Sequence, residues 1–228
     1  MGFLSDKDKE TLRAKLAALD KPVKLLLFSQ IIGCPTCREA ESMLKEFVGF
    51  SPKLSLEIKA PVTEKELAAR YDVKGMPLLI LLGDGDKDYG IRFYGTPSGY
   101  EYRTLLEDVL AVSQGKIGLK PATVERLNAL PAPVDITVFV TPTCVYCPQA
   151  VFLAHQMALA CEKITATMVE CLEFQDWAEA HQVMGVPKSV FVARNGARGL
   201  PLTLEGAVPE DRFLSFVEKA AESAAAPA

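Results

Sequence analysis

The sequence predicts an α/β protein built from two tandem units, each a mixed four-stranded core sheet flanked by helices. Two C-x-x-C pairs begin at Cys34 and Cys144, an offset of 110 residues (144 − 34). The same offset relates two V-x-G-x-P patterns, at residues 73–77 and 183–187 (183 − 73). The predicted helices and strands also follow one order in both halves. Several markers in one register indicate two copies of a single folding unit.

The first unit begins with an amphipathic helix and a buried strand. Ser5 and Asp8 form a capping-box pattern, with Asp in place of the usual Glu or Gln, and leucines at helical spacing follow. Residues 23–29 are almost continuously apolar, which is typical of a strand buried on both faces. The first C-x-x-C pair comes next, and a helix is predicted from about residue 37 to residue 47.

The remaining elements follow from alternation, capping and turn residues. The first unit continues with a strand at 54–58, a helix at 63–71 capped by Thr63, strands at 78–82 and 91–94, and a helix at 99–112. The second unit has a helix after Pro121, a strand at 136–140, helices at 147–160 and 174–182, strands at 165–171, 189–193 and 202–205, an Asn195-Gly196 turn and a helix at 209–222. In each unit a helix joins the first two strands, which predicts a parallel pair, and a closing hairpin adds an antiparallel pair.

A polar segment divides the two units. Residues 113–120 are polar and contain two glycines, so we place the boundary there. The predicted domains are residues 1–118 and residues 119–228.

Composition and charge exclude several classes of protein. Of the 228 residues, 49% are hydrophobic and 24% are charged, which indicates a folded chain rather than a disordered or fibrous one. The net charge of −4 argues against a nucleic-acid partner, because such proteins carry basic faces. The longest apolar runs have strand length, so no membrane partner is expected. The first ten residues show no secretion signal, and we therefore expect a cytoplasmic protein.

Each C-x-x-C pair follows a predicted buried strand and opens a predicted helix. Unpaired backbone N–H groups and the helix dipole stabilise a thiolate at that point and lower its pKa. The thiolate is the attacking species in disulfide exchange. We therefore expect Cys34 and Cys144 to be the nucleophiles. Cys37 and Cys147, three residues further on, are the expected resolving cysteines.

Metal binding and structural roles are the alternatives for these and the other cysteines and histidines. A zinc site requires two cysteine pairs close together, and these belong to different units, so no metal site is predicted. His155 and His181, the two histidines, lie outside the motifs; we expect an ordinary surface or partly buried position for His155 and a structural role for His181. Cys161 and Cys171 are expected to be buried, inert thiols, with a disulfide between them as the alternative.

Taken together, these motifs resemble the thioredoxin/glutaredoxin superfamily, and two such units resemble its tandem protein disulfide oxidoreductases. The most specific stretches are YGIRFYGTPSGYEY at 89–102, FVTPTCVYCPQAV at 139–151 and VMGVPK at 183–188. The resemblance implies thioredoxin-like domains with cis peptide bonds before Pro77 and Pro187. It also implies that Met76 and Val186 offer their backbone to a bound substrate.

One departure from the superfamily concerns proton transfer. Related proteins often carry a buried acid six residues before the nucleophile, where it accepts the proton of the second cysteine. Those positions here are Phe28 and Val138. Another group or water must then accept the proton.

The predicted function is a dithiol–disulfide oxidoreductase that reduces, forms or isomerises disulfides in protein substrates. The motif requires no cofactor, and the resemblance suggests a thioredoxin reductase as electron source. One alternative is a dedicated thiol electron donor to a peroxiredoxin. Another is a redox-weak chaperone or binding module, which the absent acids favour.

Overall fold

A computed structural model describes residues 5–194 and 201–225 of the chain. The first half contains helices α1 (Asp6–Leu16), α2 (Cys37–Val48), α3 (Lys65–Arg70) and α4 (Glu101–Gln114), and strands β1 (Val23–Phe28), β2 (Leu54–Lys59), β3 (Leu78–Leu82) and β4 (Asp88–Tyr94). The second half contains α5 (Pro121–Asn128), α6 (Cys147–Ala160), α7 (Gln175–Ala180) and α8 (Glu210–Ala225), and β5 (Val134–Val140), β6 (Ile164–Glu170), β7 (Lys188–Ala193) and β8 (Leu202–Glu205). Among the described residues, no helix combines the length and the apolar character that spanning a membrane requires.

The predicted order of elements is confirmed in both halves. The capping box is also confirmed, since the Asp8 backbone N–H donates to Ser5 Oγ at 3.2 Å and the Ser5 N–H donates to the Asp8 carboxylate at 3.3 Å. The prediction that Thr63 caps α3 is wrong. The N-cap residue is Glu64, and the Thr63 hydroxyl instead donates to the carbonyl of Ala60 at 3.1 Å. The predicted Asn195-Gly196 turn lies outside the described residues.

All eight strands form one sheet in the order β2-β1-β3-β4-β6-β5-β7-β8. Each half contributes four adjacent strands, and each set is mixed as predicted, with a parallel β1–β2 or β5–β6 pair and antiparallel pairs beyond it. The two sets join through a parallel pairing of β4 with β6, in which Ile91 lies opposite Ala166 and Tyr94 opposite Val169. This junction was not predicted from the sequence.

Helices cover the sheet unequally. Alternate strand residues point to opposite faces, so each strand contributes to two cores. The larger core contains buried residues of α1, α2, α4, α5, α6 and α8, and the smaller one packs against α3 and α7. The pairings also show that β1 and β5 run in the same direction. Both C-x-x-C pairs follow these two strands, so both lie at the same edge of the sheet.

Candidate functional site

The first cysteine pair lies between β1 and α2. Cys34 and Cys37 form a disulfide, and α2 begins at Cys37, so the pair spans the turn into the helix rather than one helix face. Both cysteines are buried. The loop before them carries two strongly exposed apolar side chains, Ile31 at 85% and Ile32 at 86%. The pair therefore borders an apolar surface that is open to solvent.

The second pair has the same local structure. Cys144 and Cys147 form a disulfide, and α6 begins at Cys147. The backbone N–H of Cys147 donates to Cys144 Sγ at 3.1 Å. This is one of the unpaired N–H groups of a helix start, and it stabilises a thiolate on Cys144 once the disulfide is reduced. Cys144 is half-buried and Cys147 has no exposed area, which fits the predicted attacking and resolving roles.

The prolines of both V-x-G-x-P patterns lie at the same edge of the sheet as the cysteine pairs. The peptide bonds Met76-Pro77 and Val186-Pro187 are both cis, which confirms this implication of the family resemblance. Pro77 directly precedes β3, whose first residue pairs with the last residue of β1, and Pro187 has the same place before β7 beside β5. Met76 and Val186 are half-buried and the two prolines are buried. The four residues therefore lie at the sheet edge that holds the disulfides.

A buried acid accompanies the second pair, and it comes from the first half. Glu101 is the first residue of α4 and is only 2% exposed. The backbone N–H before it, that of Tyr100, donates to the carbonyl of Pro142 at 3.0 Å, two residues ahead of Cys144. The Thr104 hydroxyl donates to one Glu101 carboxylate oxygen at 2.7 Å, and the other oxygen has no partner among the described residues. Burial raises the pKa of Glu101 to about 7, against the opposing hydrogen bond from Thr104.

The packing of α4 against α6 places Glu101 near the level of Cys147. The Tyr100–Pro142 hydrogen bond joins the two chains just before these helices begin, and further along Asp108 and His155 are in contact, so the helices run side by side in the same direction. Glu101 lies seven residues before Asp108, or about 10 Å, and Cys147 lies eight residues before His155, or about 12 Å. A cleft of about 270 Å³ opens between the helices and is lined by Thr104, the hydrogen-bond partner of Glu101. The acid therefore has a polar neighbour that faces this opening.

Glu101 was missed in the sequence analysis because it belongs to the first half, whereas the cysteine pair near it, Cys144 and Cys147, belongs to the second. Phe28 and Val138, where the superfamily often has its acid, are fully buried apolar residues, as expected from the sequence. The sequence did contain one indication of its importance, because the start of α4, with Glu101, lies inside the stretch at 89–102 that resembles the family. Only the pairing of β4 with β6 brings that helix beside α6.

The first pair has a different acid. Glu41 lies one turn after Cys37 on α2, accepts from the buried Ser29 hydroxyl at 2.8 Å and accepts from Lys45 at 3.0 Å. Burial acts to raise the pKa of Glu41, but the hydrogen bonds from Ser29 and Lys45 outweigh it and lower the pKa. At neutral pH this carboxylate is therefore ionised and partly exposed, unlike Glu101.

The other candidate residues have structural surroundings. His155 was expected at the surface or partly buried, but it is fully buried against the first half. His181 is exposed, with Nδ1 2.9 Å from the carbonyl of Trp177. Cys161 and Cys171 are both free, so the alternative of a disulfide between them is wrong. Burial raises the pKa of Cys171 to about 11, which makes it a poor nucleophile. Among the described residues, no cluster of three or more potential metal ligands occurs.

Comparisons with known proteins agree on the fold. Residues 134–215 match the family model described as a thioredoxin domain. A protein disulfide oxidoreductase from Aeropyrum pernix is 31% identical, with a TM-score of 0.85, covering 96% of this chain and 94% of that one. The NTD_N/C domain of alkylhydroperoxide reductase AhpF from Enterococcus faecalis is 26% identical, also with a TM-score of 0.85, covering 94% of this chain and 100% of that one.

Curated relatives are longer proteins. The alkyl hydroperoxide reductase AhpF of Pseudomonas aeruginosa is 25% identical over 179 residues, which cover 78% of this chain and 32% of the relative. The AhpF of Staphylococcus epidermidis is 30% identical over 144 residues, which cover 63% of this chain and 26% of the relative. The chain thus spans about a third or less of the length of these relatives.

Proposed function

Because this chain belongs to the protein disulfide oxidoreductases of the thioredoxin superfamily, we propose that its two cysteine pairs exchange electrons with protein disulfides and dithiols. The chain is a thioredoxin-like disulfide oxidoreductase with two C-x-x-C motifs. The observation that carries the proposal is the repeated arrangement of a disulfide at a helix start and a cis-proline loop at the same edge of the sheet. The proposed substrate-binding residues are Met76, Pro77, Val186 and Pro187.

The proposed reaction at the second site proceeds in two exchanges. The Cys144 thiolate attacks one sulfur of the substrate disulfide, a Cys144–substrate disulfide forms, and the other substrate sulfur leaves with the electron pair and takes up a proton. Cys147 then loses its proton and attacks Cys144 Sγ. The Cys144–Cys147 disulfide forms and the second substrate sulfur leaves and is protonated. Two electrons pass from the protein to the substrate, and Cys34 and Cys37 take the same roles at the first site.

Glu101 is the proposed proton acceptor for Cys147. A buried thiol needs a nearby base, because burial disfavours the thiolate. The buried carboxyl with a pKa near 7 changes its protonation state in the neutral range. In the reverse direction the same group returns a proton to Cys147. At the first site, Glu41 is the corresponding candidate because it lies one turn after Cys37.

A peroxiredoxin is the second candidate partner. The support is the similarity of nearly the whole chain to part of the alkyl hydroperoxide reductase AhpF. In this version a thioredoxin reductase reduces the chain, and the chain reduces the peroxiredoxin. A reducing cytoplasm would supply these electrons, and we place the protein there as part of the proposal. Peroxide consumption with a peroxiredoxin, compared with insulin reduction, distinguishes a dedicated donor from a general reductase.

Insulin reduction in the presence of dithiothreitol tests the main proposal. Cys144→Ser should remove most of the activity, because the serine hydroxyl cannot form a mixed disulfide. Cys34→Ser should remove the part that the first site contributes. Cys171→Ser is the matched control and should keep the wild-type rate, because this thiol is half-buried and its pKa is raised. A Cys144→Ser variant with the wild-type rate would show that the second site is not the main one.

Thiol titration tests the binding-module alternative. Mild oxidation of the fully reduced protein should remove four thiols, one pair at each site, and leave Cys161 and Cys171. Loss of no thiols would favour a binding module that does not cycle.

A further inference from the structure

The cleft between α4 and α6, with a volume of about 270 Å³, begins directly beside the second cysteine pair. One of its walls is apolar and comes from Val145, in the turn between the two cysteines, and from Pro148 and Phe152 on α6. Val145 directly follows Cys144 in the chain, so the wall starts at the residue next to the attacking cysteine. Pro148 and Phe152 are four residues apart and share one helix face, which continues the wall away from the disulfide.

This apolar wall is open to solvent. Val145 is 57% exposed, and Pro148 and Phe152 are half-buried. Apolar area that faces water gains free energy when another apolar group covers it. The wall is therefore a surface on which an apolar group can be bound beside the disulfide.

The opposite wall belongs to α4 of the first half and is electrically balanced. Arg103 and Glu107 line the cleft, and Arg103 Nε donates to a Glu107 carboxylate oxygen at 2.7 Å. Thr104 also lines the cleft, and its hydroxyl donates to Glu101. Gln149, on the α6 side, is exposed and uncharged. An occupant thus meets apolar side chains and an ion pair whose charges offset each other, which favours an uncharged, apolar group.

The size of the cleft fits a side chain better than a cofactor. Sites for small-molecule ligands and cofactors measure about 300–1,000 Å³, and this cleft is smaller. A substrate bonded to Cys144 is held next to it, because the Cα atoms of a disulfide are about 4.4–6.8 Å apart. Phe152 lies five residues of helix beyond Cys147, or about 7.5 Å. An extended chain advances about 3.3 Å per residue, so a side chain about two or three residues from the substrate cysteine has the reach to enter the cleft.

We propose that this cleft is a specificity site of the second cysteine pair, which binds an apolar side chain about two or three residues from the reactive cysteine of a protein substrate. The inference rests on the proposed disulfide exchange at Cys144. Because α4 supplies one wall and α6 the other, the site depends on the pairing of β4 with β6.

The corresponding positions of the first half are polar. Pro148 corresponds to Arg38 (148 − 110) and Phe152 to Ser42 (152 − 110), and both of these side chains are exposed. A guanidinium group and a hydroxyl group do not make an apolar wall. The two cysteine pairs are therefore expected to differ in the substrates that they accept.

The experiment follows the second site alone, in the full-length chain with Cys34→Ser and Cys37→Ser. The reduced protein is mixed with short serine peptides that carry one cysteine, bonded through a disulfide to a chromogenic aromatic thiol. Cys144 attacks the peptide sulfur, the Cys144–peptide disulfide forms, and the coloured aromatic thiolate leaves with the electron pair. Cys147 then attacks Cys144 Sγ and releases the peptide thiol, which takes up a proton.

The values of kcat/KM are compared between the all-serine peptide and peptides with one leucine at one to four residues before or after the cysteine. A leucine at about two or three residues on one side should raise kcat/KM about tenfold. Phe152→Ser, which introduces the residue type of the first half, should bring this ratio close to one. Leu172→Ser is the matched control, because Leu172 is a 63% exposed apolar residue of the second half that is not among those lining the cleft, and it should keep the ratio.

Phe152→Leu provides a second variant, because Phe152 is half-buried and Phe152→Ser could fail to fold by circular dichroism. The smaller side chain enlarges the cleft, so a phenylalanine peptide should gain several-fold in kcat/KM relative to the leucine peptide. A purely structural role of Phe152 would not change this preference.

The outcomes separate this inference from the proposed function. If no peptide releases the coloured thiolate faster than with Cys144→Ser, the disulfide exchange itself is wrong. If the all-serine peptide reacts but leucine gives no gain, or every folded Phe152 variant keeps the wild-type ratios, only the specificity site is wrong. A larger gain with glutamate or lysine than with leucine would show that Arg103 and Glu107 separate to bind a charge, and would overturn the apolar occupant.

Discussion

At the scale of single residues, the two cysteine pairs differ in the acid that we propose as proton acceptor for the resolving cysteine. Glu101 is buried next to α6 and has its pKa raised to about 7, whereas Glu41 is partly exposed and has its pKa lowered by Ser29 and Lys45. The difference follows from their neighbours. The face of α6 after Cys147 is covered by α4, whereas the corresponding face of α2 leaves Lys45 exposed. The two sites therefore have similar backbones and different proton chemistry.

The raised pKa of Glu101 predicts a pH-dependent cost in stability. The folded pKa, about 7, lies above the ordinary value of 4.5, so the folded state binds the proton more tightly. Folding stability then falls as pH rises from about 4.5 to about 7 and stays lowered above that range. Glu101→Gln should therefore raise the free energy of unfolding at pH 8, by up to about 3 kcal/mol, and have little effect at pH 4.

Urea denaturation of the oxidised protein at pH 4 and at pH 8 measures this difference. Glu125→Gln is the control, because it neutralises an exposed acid on α5. Equal effects of Glu101→Gln at both pH values would contradict the raised pKa.

At the scale of elements, the junction of β4 with β6 depends on glycines of the first half. Gly90 and Gly95 have positive φ angles of 79° and 95°, and a Cβ atom at either would lie 2.6 Å from an atom of the second half. For Gly95 that atom is the Cβ of Glu170. The repeat keeps a glycine at Gly206 (95 + 111), but there no atom of the described residues lies within 4 Å of the added Cβ. The glycine at this position of the repeat is therefore required for close packing in the first half only.

This comparison provides a matched pair of substitutions. Gly95→Ala and Gly206→Ala both place an alanine at positive φ, which costs about 1 kcal/mol in each case. Only Gly95→Ala also creates a clash with Glu170, so it should destabilise the protein by about 1–3 kcal/mol more. Thermal unfolding of the two variants side by side measures this. Equal melting temperatures would show that the junction tolerates a side chain.

The β8 edge of the sheet lacks the glycines that allow the β4 edge to pair with β6. Gly99 also belongs to the junction, because an added Cβ there would clash with the carbonyl oxygen of Pro142. At the positions that correspond to Gly90 and Gly99 the second half has Pro201 (90 + 111) and Glu210 (99 + 111). Proline cannot donate a ladder hydrogen bond, and it is typical of edge strands. Pro201 directly precedes β8. The β8 edge is therefore poorly suited to pair with a further strand in the way that β4 pairs with β6.

At the scale of the whole molecule, the predicted domains share one continuous sheet and one large core. The division into residues 1–118 and 119–228 stays a prediction about sequence units. Contacts across it include the rings of Tyr94 and Trp177, whose centroids are 4.8 Å apart. Separating the halves would expose the β6 edge and the His155 side chain. We therefore expect the halves to unfold together.

Trp177 offers a direct measurement, because it is the one tryptophan of the chain and lies in the second half. Its fluorescence and the circular dichroism of the whole chain should give coincident denaturation curves. A Trp177 transition separate from the circular dichroism transition would show that the halves unfold independently.

Local patterns along the chain were sufficient to predict the repeat, the order of the elements and the two cysteine pairs, because these depend on periodicity and on motifs within each half. The cis peptide bonds followed from the family resemblance. The pairing of β4 with β6 emerged only in three dimensions, since strand order depends on contacts between residues far apart in the chain. That pairing places α4 beside α6, and so buries Glu101 and joins Asp108 to His155. A buried acid that comes from the other half has no local pattern, and burial is what raises its pKa.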